Sequence, residues 1–143
     1  MNTARLKPIQ KVATGREERA LDGFLQSQKR LTEAQARLEE LCNYQRGYAQ
    51  PARHVAPAML ANRQAFLDKL HSAIEFQRKQ IAQAQQACEV ERARWLLASR
   101  DVRVLDRLSE CYHAREQRAS DRALQNEQDD RTAASFVFAA RLK

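Results

Sequence analysis

The chain has 143 residues, with only three Gly and three Pro, and 30% of its residues are charged. So little Gly argues against a phosphate-cradling loop, and neither G-x-x-x-x-G-K-[ST] nor G-x-G-x-x-G occurs. Ala, Gln, Glu, Arg and Leu dominate, which is typical of a single domain of long helices or coiled coil. The formal net charge of +7 favours acidic partners, although mixed charge often only solvates the outer face of a coiled coil.

The first helix is predicted over about residues 7–49. It begins near Lys7–Pro8, because Pro fits the first helical turn, where its missing N–H costs nothing. Gly15 and Gly23 each cost about 1 kcal/mol in a helix interior, so the N-terminal third is predicted to be the softer part. Two heptad series mark the apolar side of this helix. They are Phe24, Leu31, Leu38 and Gln45, and then Ala20, Ser27, Ala34, Leu41 and Tyr48.

A short break follows at about residues 50–57, with the sequence Q-P-A-R-H-V-A-P. Pro51 and Pro57 lack backbone donors and push the preceding residue out of the helical region. One short break between two heptad-patterned segments predicts an antiparallel helical hairpin. The expected fold is therefore all-α, a single coiled-coil domain over residues 1–143 with a second helix longer than the first.

The second helix is predicted over about residues 58–130, followed by a polar tail over 131–143. Its apolar side chains recur in alternating three- and four-residue steps for about seven heptads, the spacing of a coiled-coil a/d stripe. Trp95 lies on this stripe, and we expect it to fill the core opposite Val12. A helix this long predicts a rod with almost no interior for a catalytic pocket. The stripe consists of Leu67, Leu70, Ile74, Gln77, Ile81, Ala84, Cys88, Glu91, Trp95, Ala98, Val102, Leu105, Ser109 and Tyr112.

The two predicted helices differ in length. At about 1.5 Å per residue, the first spans roughly 60 Å and the second roughly 100 Å. A turn near residue 53 would then leave the second helix without a partner from the same chain beyond Val102. The uncovered apolar stripe is a candidate partner-binding surface, unless a self-dimer or the remaining N-terminal residues cover it. Its residues are Leu105, Leu108 and Tyr112.

No catalytic or metal-binding signature is found. His54, His71 and His113 are scattered, and no Cys/His spacing suits zinc. His71 and Glu75 stand four residues apart, a spacing that could hold a metal, but a solvated polar pair is the simpler interpretation. The sequence therefore predicts a non-enzymatic protein without metal or cofactor.

Cysteine usage and hydropathy predict a cytoplasmic protein. Cys42, Cys88 and Cys111 are odd in number and lie in helical patterns, so we interpret them as small core residues in a reducing compartment. Residues 1–10 contain no apolar run, and no apolar stretch of about 18 residues occurs. We therefore expect neither a signal peptide nor a membrane span.

Aromatic residues cluster beside the predicted turn. Tyr44 and Tyr48 lie four residues apart on one helical face, and Phe66 lies across the hairpin. Tyr44 and Phe66 fall beside the a/d stripe, which favours a contact patch of the kind enriched in protein interfaces. A wider core where the helices splay at the turn is the alternative.

Several short motifs occur in order over most of the chain. They are the basic start R-L-K-P-I-Q-K-V, L-x-x-Y-Q-x-x-Y at 41–48, F-L-x-x-L-x-x-A-I at 66–74, Q-x-x-Q-I at 77–81, R-W at 94–95 and E-Q-D-D at 127–130. In this order and spacing the chain resembles the flagellar export protein family FliJ. One departure is the segment A-L-Q-N-E-Q-D-D, which replaces a Lys-rich stretch typical of the family and lowers the positive charge there.

The resemblance implies two long antiparallel helices, similar to the paired terminal helices of the rotary ATPase gamma subunit. It also implies a role in the flagellar type III export apparatus, in the cytoplasm at the inner membrane of the flagellar base. Such a protein is a stalk or adaptor needed for flagellum assembly and motility. It would place the end away from the turn in the pore of the hexameric export ATPase, direct the turn towards the cytoplasmic domain of the export gate, and escort export chaperones.

The resemblance further implies a set of export-gate contacts near the turn. They are Leu41, Tyr44, Tyr48, Phe66, Leu70, Ala73 and Gln77. At the other end of the predicted hairpin, a group of basic residues suits an acidic pore rim, so we expect these residues to contact the ATPase. They are Arg5, Lys7, Lys11, Arg16, Arg19, Arg100, Arg103 and Arg107.

Two other functions are considered. The stalk of an injectisome-type secretion system has the same architecture, but the motif near the turn favours the flagellar version. A basic coiled coil could also bind nucleic acid. The alternation of basic and acidic residues in Arg103–Asp106–Arg107–Glu110 argues against nucleic-acid binding, because the carboxylates repel phosphates.

Overall fold

The computed structural model describes residues 2–49 and 56–142. These residues form two helices, α1 over Thr3–Tyr48 and α2 over Pro57–Arg141, which pack against each other, and no strand occurs among them. The expected all-α hairpin with a longer second helix is confirmed. Most of the predicted turn, residues 50–55, lies outside the described residues.

The chain divides into two compact units. The terminal unit combines Met1–Arg16 with Ala98–Lys143, and the central unit is Glu17–Leu97. In the terminal unit, Thr3 contacts Glu116 and Gln10 contacts Asp106, so the two segments run antiparallel. In the central unit, residues 24, 34 and 48 contact residues 95, 77 and 66, which gives the same antiparallel order.

The a/d stripe of α2 is buried as its spacing predicts. Every residue of the predicted stripe is buried or half-buried, whereas most residues beside it are exposed. Its four most buried side chains are Leu70, Ile74, Ile81 and Cys88. A two-helix hairpin can shield only one narrow stripe of each helix, so the 3.5-residue period decides which side chains leave water.

Helix α1 begins at Thr3, earlier than the expected start near Lys7–Pro8. Asn2 caps the helix, because its Oδ1 accepts a hydrogen bond of 3.2 Å from the backbone N–H of Arg5. Leu6 is only 1% exposed and is the most deeply buried side chain in the described chain. Pro8 lies inside the helix, which therefore continues in spite of one missing backbone donor.

The expected register of the two helices is wrong. Trp95 does not lie opposite Val12: its ring stacks on Phe24, with ring centroids 5.8 Å apart and planes 1° from parallel. In the terminal unit, Thr3 bonds to Glu116, so α1 has residues alongside α2 well beyond Val102. The heptad pattern permits several registers that differ by whole turns, and these particular contacts select one of them.

Two smaller expectations also differ from the structure. The segment predicted as a polar tail, 131–143, is helical up to Arg141, because Ala and charged residues with high helix propensity fill it. All three cysteines are free thiols, but only Cys88 is buried; Cys42 is half-buried and Cys111 is exposed. Cys111 is therefore not a core residue, because it lies beside the a/d position that Tyr112 occupies.

Gly15 and Gly23, two of the glycines inside α1, are predicted to respond differently to alanine. A Cβ at Gly15 would meet nothing within 4 Å, whereas at Gly23 it would lie 2.8 Å from Oε2 of Glu91. Gly15→Ala should therefore raise the free energy of unfolding by about 1 kcal/mol, the difference in helix propensity. Gly23→Ala should gain less, because the Glu91 carboxylate, which pairs with Arg94 at 3.0 Å, must swing aside.

Urea unfolding followed by far-ultraviolet circular dichroism measures both effects. An equal gain for the two variants would show that the Glu91 side chain moves without cost, and would contradict the role given to its contact with Gly23.

Candidate functional site

The tip surface comprises the exposed residues Tyr44, Tyr48, Phe66 and Ala73 of the central unit. The rings of Tyr48 and Phe66 lie 4.8 Å apart at 56°, a tilted aromatic contact between α1 and α2. Tyr44 takes no part in this ring contact and is 61% exposed. The aromatic cluster therefore contains both a contact between the helices and a side chain that is free to meet a partner.

Arg63 fixes α2 to the end of α1 beside the tip surface. Its Nε donates a 3.0 Å hydrogen bond to the backbone carbonyl of Tyr48, and its Nη2 bonds to the same oxygen. The carbonyls in the last turn of a helix have no partner within the helix, and a guanidinium group is well suited to satisfy them. This bond holds the backbone that carries Tyr44 and Tyr48 in place.

The other residues expected to contact the export gate are less accessible. Leu70 is buried and Leu41 is half-buried, so both belong mainly to the a/d stripe. Gln77 is half-buried, and its Nε2 donates a 3.0 Å hydrogen bond to the carbonyl of Ala34. These three residues are largely occupied within the hairpin. Their direct contact with a partner stays a prediction.

The basic surface lies on the terminal unit. In α1 it consists of Arg5, Lys7, Lys11 and Arg16, and residues 2–16 contain no acidic side chain. All four are exposed, and none forms an ion pair with another described residue. No described carboxylate lies within ion-pair distance of them, so these four side chains remain available to an acidic partner.

The α2 side of the terminal unit has mixed charge. Arg100, Arg103 and Arg107 are exposed there, as expected, but they alternate with Asp101 and Asp106. Asp106 is in part engaged, because its Oδ1 accepts a 3.2 Å hydrogen bond from Nε2 of Gln10.

Arg19, the remaining residue expected to contact the ATPase, belongs to the central unit and not to the terminal unit. It is exposed. The structure therefore groups seven of the eight expected basic residues in one unit, and the role of all eight stays a prediction.

Glu116 anchors the start of α1. Its Oε1 accepts the backbone N–H of Thr3 at 2.9 Å, and its Oε2 accepts the Thr3 hydroxyl at 2.8 Å. Because these two hydrogen bonds favour the ionised carboxylate, they lower the pKa of Glu116 below its ordinary value of 4.5, and the nearby His113 acts in the same direction. The carboxylate also satisfies a backbone donor in the first turn of the helix.

The apolar stripe expected to bind a partner is partly covered by the hairpin itself. Leu105 and Tyr112 are half-buried, whereas Leu108 is exposed. The guanidinium carbon of Arg115 lies 5.8 Å from the centroid of the Tyr112 ring, a cation–π geometry. A partner that binds this stripe can therefore contact Leu108 and only the exposed parts of Leu105 and Tyr112. The role of the stripe in binding stays a prediction.

The sequence pattern did not predict an apolar groove that the terminal unit contains. Val12 and Val104 are 53% and 58% exposed, and both line a groove of about 300 Å³. Neither falls on an a/d position, so the heptad pattern gives no signal for them. Leu6 and Ala13 were not predicted to be buried either. Continuing the alternating four- and three-residue steps from Phe24 towards the N-terminus reaches both of them.

Comparison with known protein families decides the classification. A family model described as flagellar FliJ protein matches residues 1–142. The chain belongs to the FliJ family. It is therefore a component of the flagellar export apparatus. A comparison with curated proteins gave no match.

Two further observations on this FliJ-family protein concern metal binding and membrane spans. In the described parts of the chain, no cluster of three or more His, Cys, Asp or Glu side chains could hold a metal ion. Across residues 2–49 and 56–142, neither helix contains a segment apolar enough to cross a membrane.

The anchor between Thr3 and Glu116 is predicted to depend on pH. A carboxyl whose pKa is lowered on folding stabilises the folded state above its ordinary pKa of 4.5, and this contribution is lost as the pH falls through the lowered value. The first turn of α1 should therefore loosen in acid before α2 does. An NMR titration of the Glu116 carboxyl, together with the Thr3 amide shift, measures this.

Thr3→Val is the matched control, because it removes the hydroxyl bond and keeps the backbone bond. The pKa of Glu116 should rise part of the way to its ordinary value in this variant. An unchanged titration would mean that the bond from the Thr3 hydroxyl to Glu116 does not form in solution.

Proposed function

We propose that this FliJ-family protein links the hexameric export ATPase to the cytoplasmic domain of the export gate and escorts export chaperones. It would act in the cytoplasm at the flagellar base, through its surfaces and not by catalysis. The observation that supports this most directly is the chemical contrast between the first 16 residues and the tip surface. In the terminal unit, residues 2–16 carry four exposed basic side chains and no acidic one, and in the central unit the tip surface carries the exposed ring of Tyr44.

The basic surface is proposed to contact the ATPase. An acid-free stretch with four exposed basic side chains produces a positive potential that speeds encounter with an acidic surface and orients it. Exposed charge pairs contribute only about 0.2–1 kcal/mol each. Several pairs are therefore needed for useful affinity, which agrees with a surface made of many basic residues.

The tip surface is proposed to contact the export gate. Tyrosines are strongly enriched among residues that dominate binding energy at interfaces, because a rigid ring covers a large area with one polar end. Tyr44 presents such a ring to solvent, and the bond from Arg63 to the Tyr48 carbonyl holds the backbone beneath it. A pre-positioned ring loses little conformational freedom on binding.

Charge reversal on the basic surface tests the ATPase contact. The purified protein is titrated into the export ATPase from the same cell, and ATP hydrolysis and hexamer assembly are followed together. Lys7→Glu, Lys11→Glu and Arg103→Glu combined should weaken half-maximal stimulation roughly tenfold at low salt, since three exposed ion pairs are lost.

The matched control reverses three exposed basic residues of the central unit, Lys29, Arg37 and Lys79. It changes the net charge equally, so it should leave stimulation close to that of the wild type. Equal losses of stimulation for the two triple variants would mean that general attraction between opposite charges, and not the basic surface in particular, explains the contact. An absence of binding to the ATPase would contradict this part of the proposal.

Truncation of the exposed tyrosine tests the gate contact. Tyr44→Ala should weaken binding to the isolated cytoplasmic domain of the export gate by roughly thirtyfold, the effect of losing a dominant interface residue. Isothermal titration calorimetry measures the affinity. Phe76→Ala is the control, because Phe76 is an aromatic residue of the same unit and is 62% exposed, but is not part of the tip surface. An unchanged affinity for Tyr44→Ala would exclude Tyr44 as an important contact.

A further inference from the structure

A second row of side chains runs beside the a/d stripe of α2 in the central unit. Its ten positions between residues 66 and 97 each directly precede a stripe residue, so the row keeps the 3.5-residue period and lies about 100° around the helix from the stripe. We call these ten positions the side row; nine of them are exposed and six are apolar. A helix with two such rows can pack against two helices, and α1 covers only the a/d stripe. The apolar members of the side row are Phe66, Ala73, Phe76, Ala87, Val90 and Leu97.

The side row contains both a projecting ring and a groove. Phe76 is 62% exposed. Ala87, eleven residues further along, lines a groove of about 440 Å³ together with Gln83 and Val90. Eleven residues are close to three whole helical turns, so Phe76 and Ala87 lie on the same side of α2, about 16 Å apart along its axis. The ring is therefore too far away to enter the groove of its own chain.

A second copy that runs antiparallel can place each ring in the groove of the other copy. With a two-fold axis between positions 81 and 82, Phe76 of each copy meets Ala87 of the other, because the two positions are equally far from the axis. The same axis pairs Ala73 with Val90. A large side chain thus meets an alanine in both layers, as a knob meets a hole. A helix from another protein would need its own ring and groove at this spacing, whereas a second copy carries both.

The polar positions of the side row fit the same arrangement. Gln80 meets Gln83 of the second copy, and amide groups satisfy each other because each has donors and an acceptor. Lys69 meets Arg94, which is a pair of like charges. Arg94 is paired with Glu91 of its own helix at 3.0 Å, and this carboxylate, one turn from Arg94, reduces the repulsion in that layer.

We infer that the side row joins two copies of this chain into an antiparallel dimer, in which each Phe76 ring enters the groove at Ala87 of the other copy. The inference does not depend on the proposed function. Ten residues per copy are fewer than the roughly 20–30 of a standard interface, so we expect a weak dimer with a dissociation constant of roughly 10–100 μM. The outermost layers pair Phe66 with Leu97. Since Phe66 also belongs to the tip surface, a chain within the dimer presents less of that surface to a partner.

Sedimentation equilibrium between about 5 μM and about 500 μM protein tests for the dimer. The wild type should pass from monomer to dimer across this range. Phe76→Ala should raise the dissociation constant at least roughly tenfold, the effect of losing a central aromatic contact. Phe136→Ala is the matched control, because Phe136 is 77% exposed but belongs to the terminal unit, and it should leave the dissociation constant unchanged.

Both changes are at exposed positions, and circular dichroism checks that the variants keep the wild-type helix content. A wild type that stays monomeric over the whole range would overturn the inference. A dimer that Phe76→Ala leaves unchanged, or that both variants weaken equally, would overturn it as well.

An exchange of the ring and the alanine tests the antiparallel arrangement. Ala87→Phe alone should weaken the dimer, because two rings then occupy one layer. The double variant Phe76→Ala with Ala87→Phe should recover most of the wild-type affinity, since ring and alanine have only changed places across the two-fold axis. In a parallel dimer, position 76 does not meet position 87, and the second change cannot repair the first. A double variant no stronger than Phe76→Ala would therefore overturn the inference.

The salt dependence separates an apolar contact from a charged one. Each copy has a formal net charge of +7, so two copies repel each other at low ionic strength. Raising the salt concentration from about 50 mM to about 500 mM should screen this repulsion and strengthen the dimer. A dimer that salt weakens would be held by ion pairs, which would contradict the role given to Phe76 and Ala87.

Discussion

The structure depends on one constraint: two helices alone can remove only a single stripe of each helix from water. A larger protein surrounds its core on several sides, but here a side chain is buried only if it faces the other helix. The three-and-four-residue spacing of apolar and small residues therefore carries almost all of the folding information. Ala13, Ser27 and Ala34 are among the buried residues, so the helices approach closely, and the stripe has room for only a few large side chains such as Leu6 and Ile74.

This constraint explains why the fold could be predicted from the sequence while its register could not. The stripe from Leu67 to Tyr112 is a local property of α2, and every residue in it is buried or half-buried. Register depends on which residues meet across the helices, and the pattern repeats every seven residues. Individual contacts resolve this choice, such as the Phe24–Trp95 stack and the bond from Gln77 to the Ala34 carbonyl. No single-sequence pattern specifies such pairings.

The candidate surfaces could be predicted from the sequence to different degrees, because some depend on one helix and others on both. The basic residues of the segment 2–16 can be recognised because no acidic residue accompanies them, and Tyr44 because a large aromatic side chain lies off the a/d stripe. The groove at Val12 and Val104 could not be recognised, because an exposed valine looks ordinary until the other helix places a second one beside it. Leu70 and Gln77 show the opposite case, since residues expected to contact a partner are largely occupied with the other helix. A protein with so little interior uses the same few side chains for folding and for recognition.

The bond between Thr3 and Glu116 joins residues 113 positions apart in the chain. On a ribosome, the start of α1 is made first, yet its partner in α2 is among the later residues to emerge. At about 5–20 residues per second, the apolar side of α1 waits for several seconds or more with nothing to cover it. The contact between Tyr48 and Phe66 needs a much shorter loop to close and can form long before. The contact at Tyr48 can thus form before the one at Thr3, and the start of α1 reaches its final arrangement only after the chain has been made as far as Glu116.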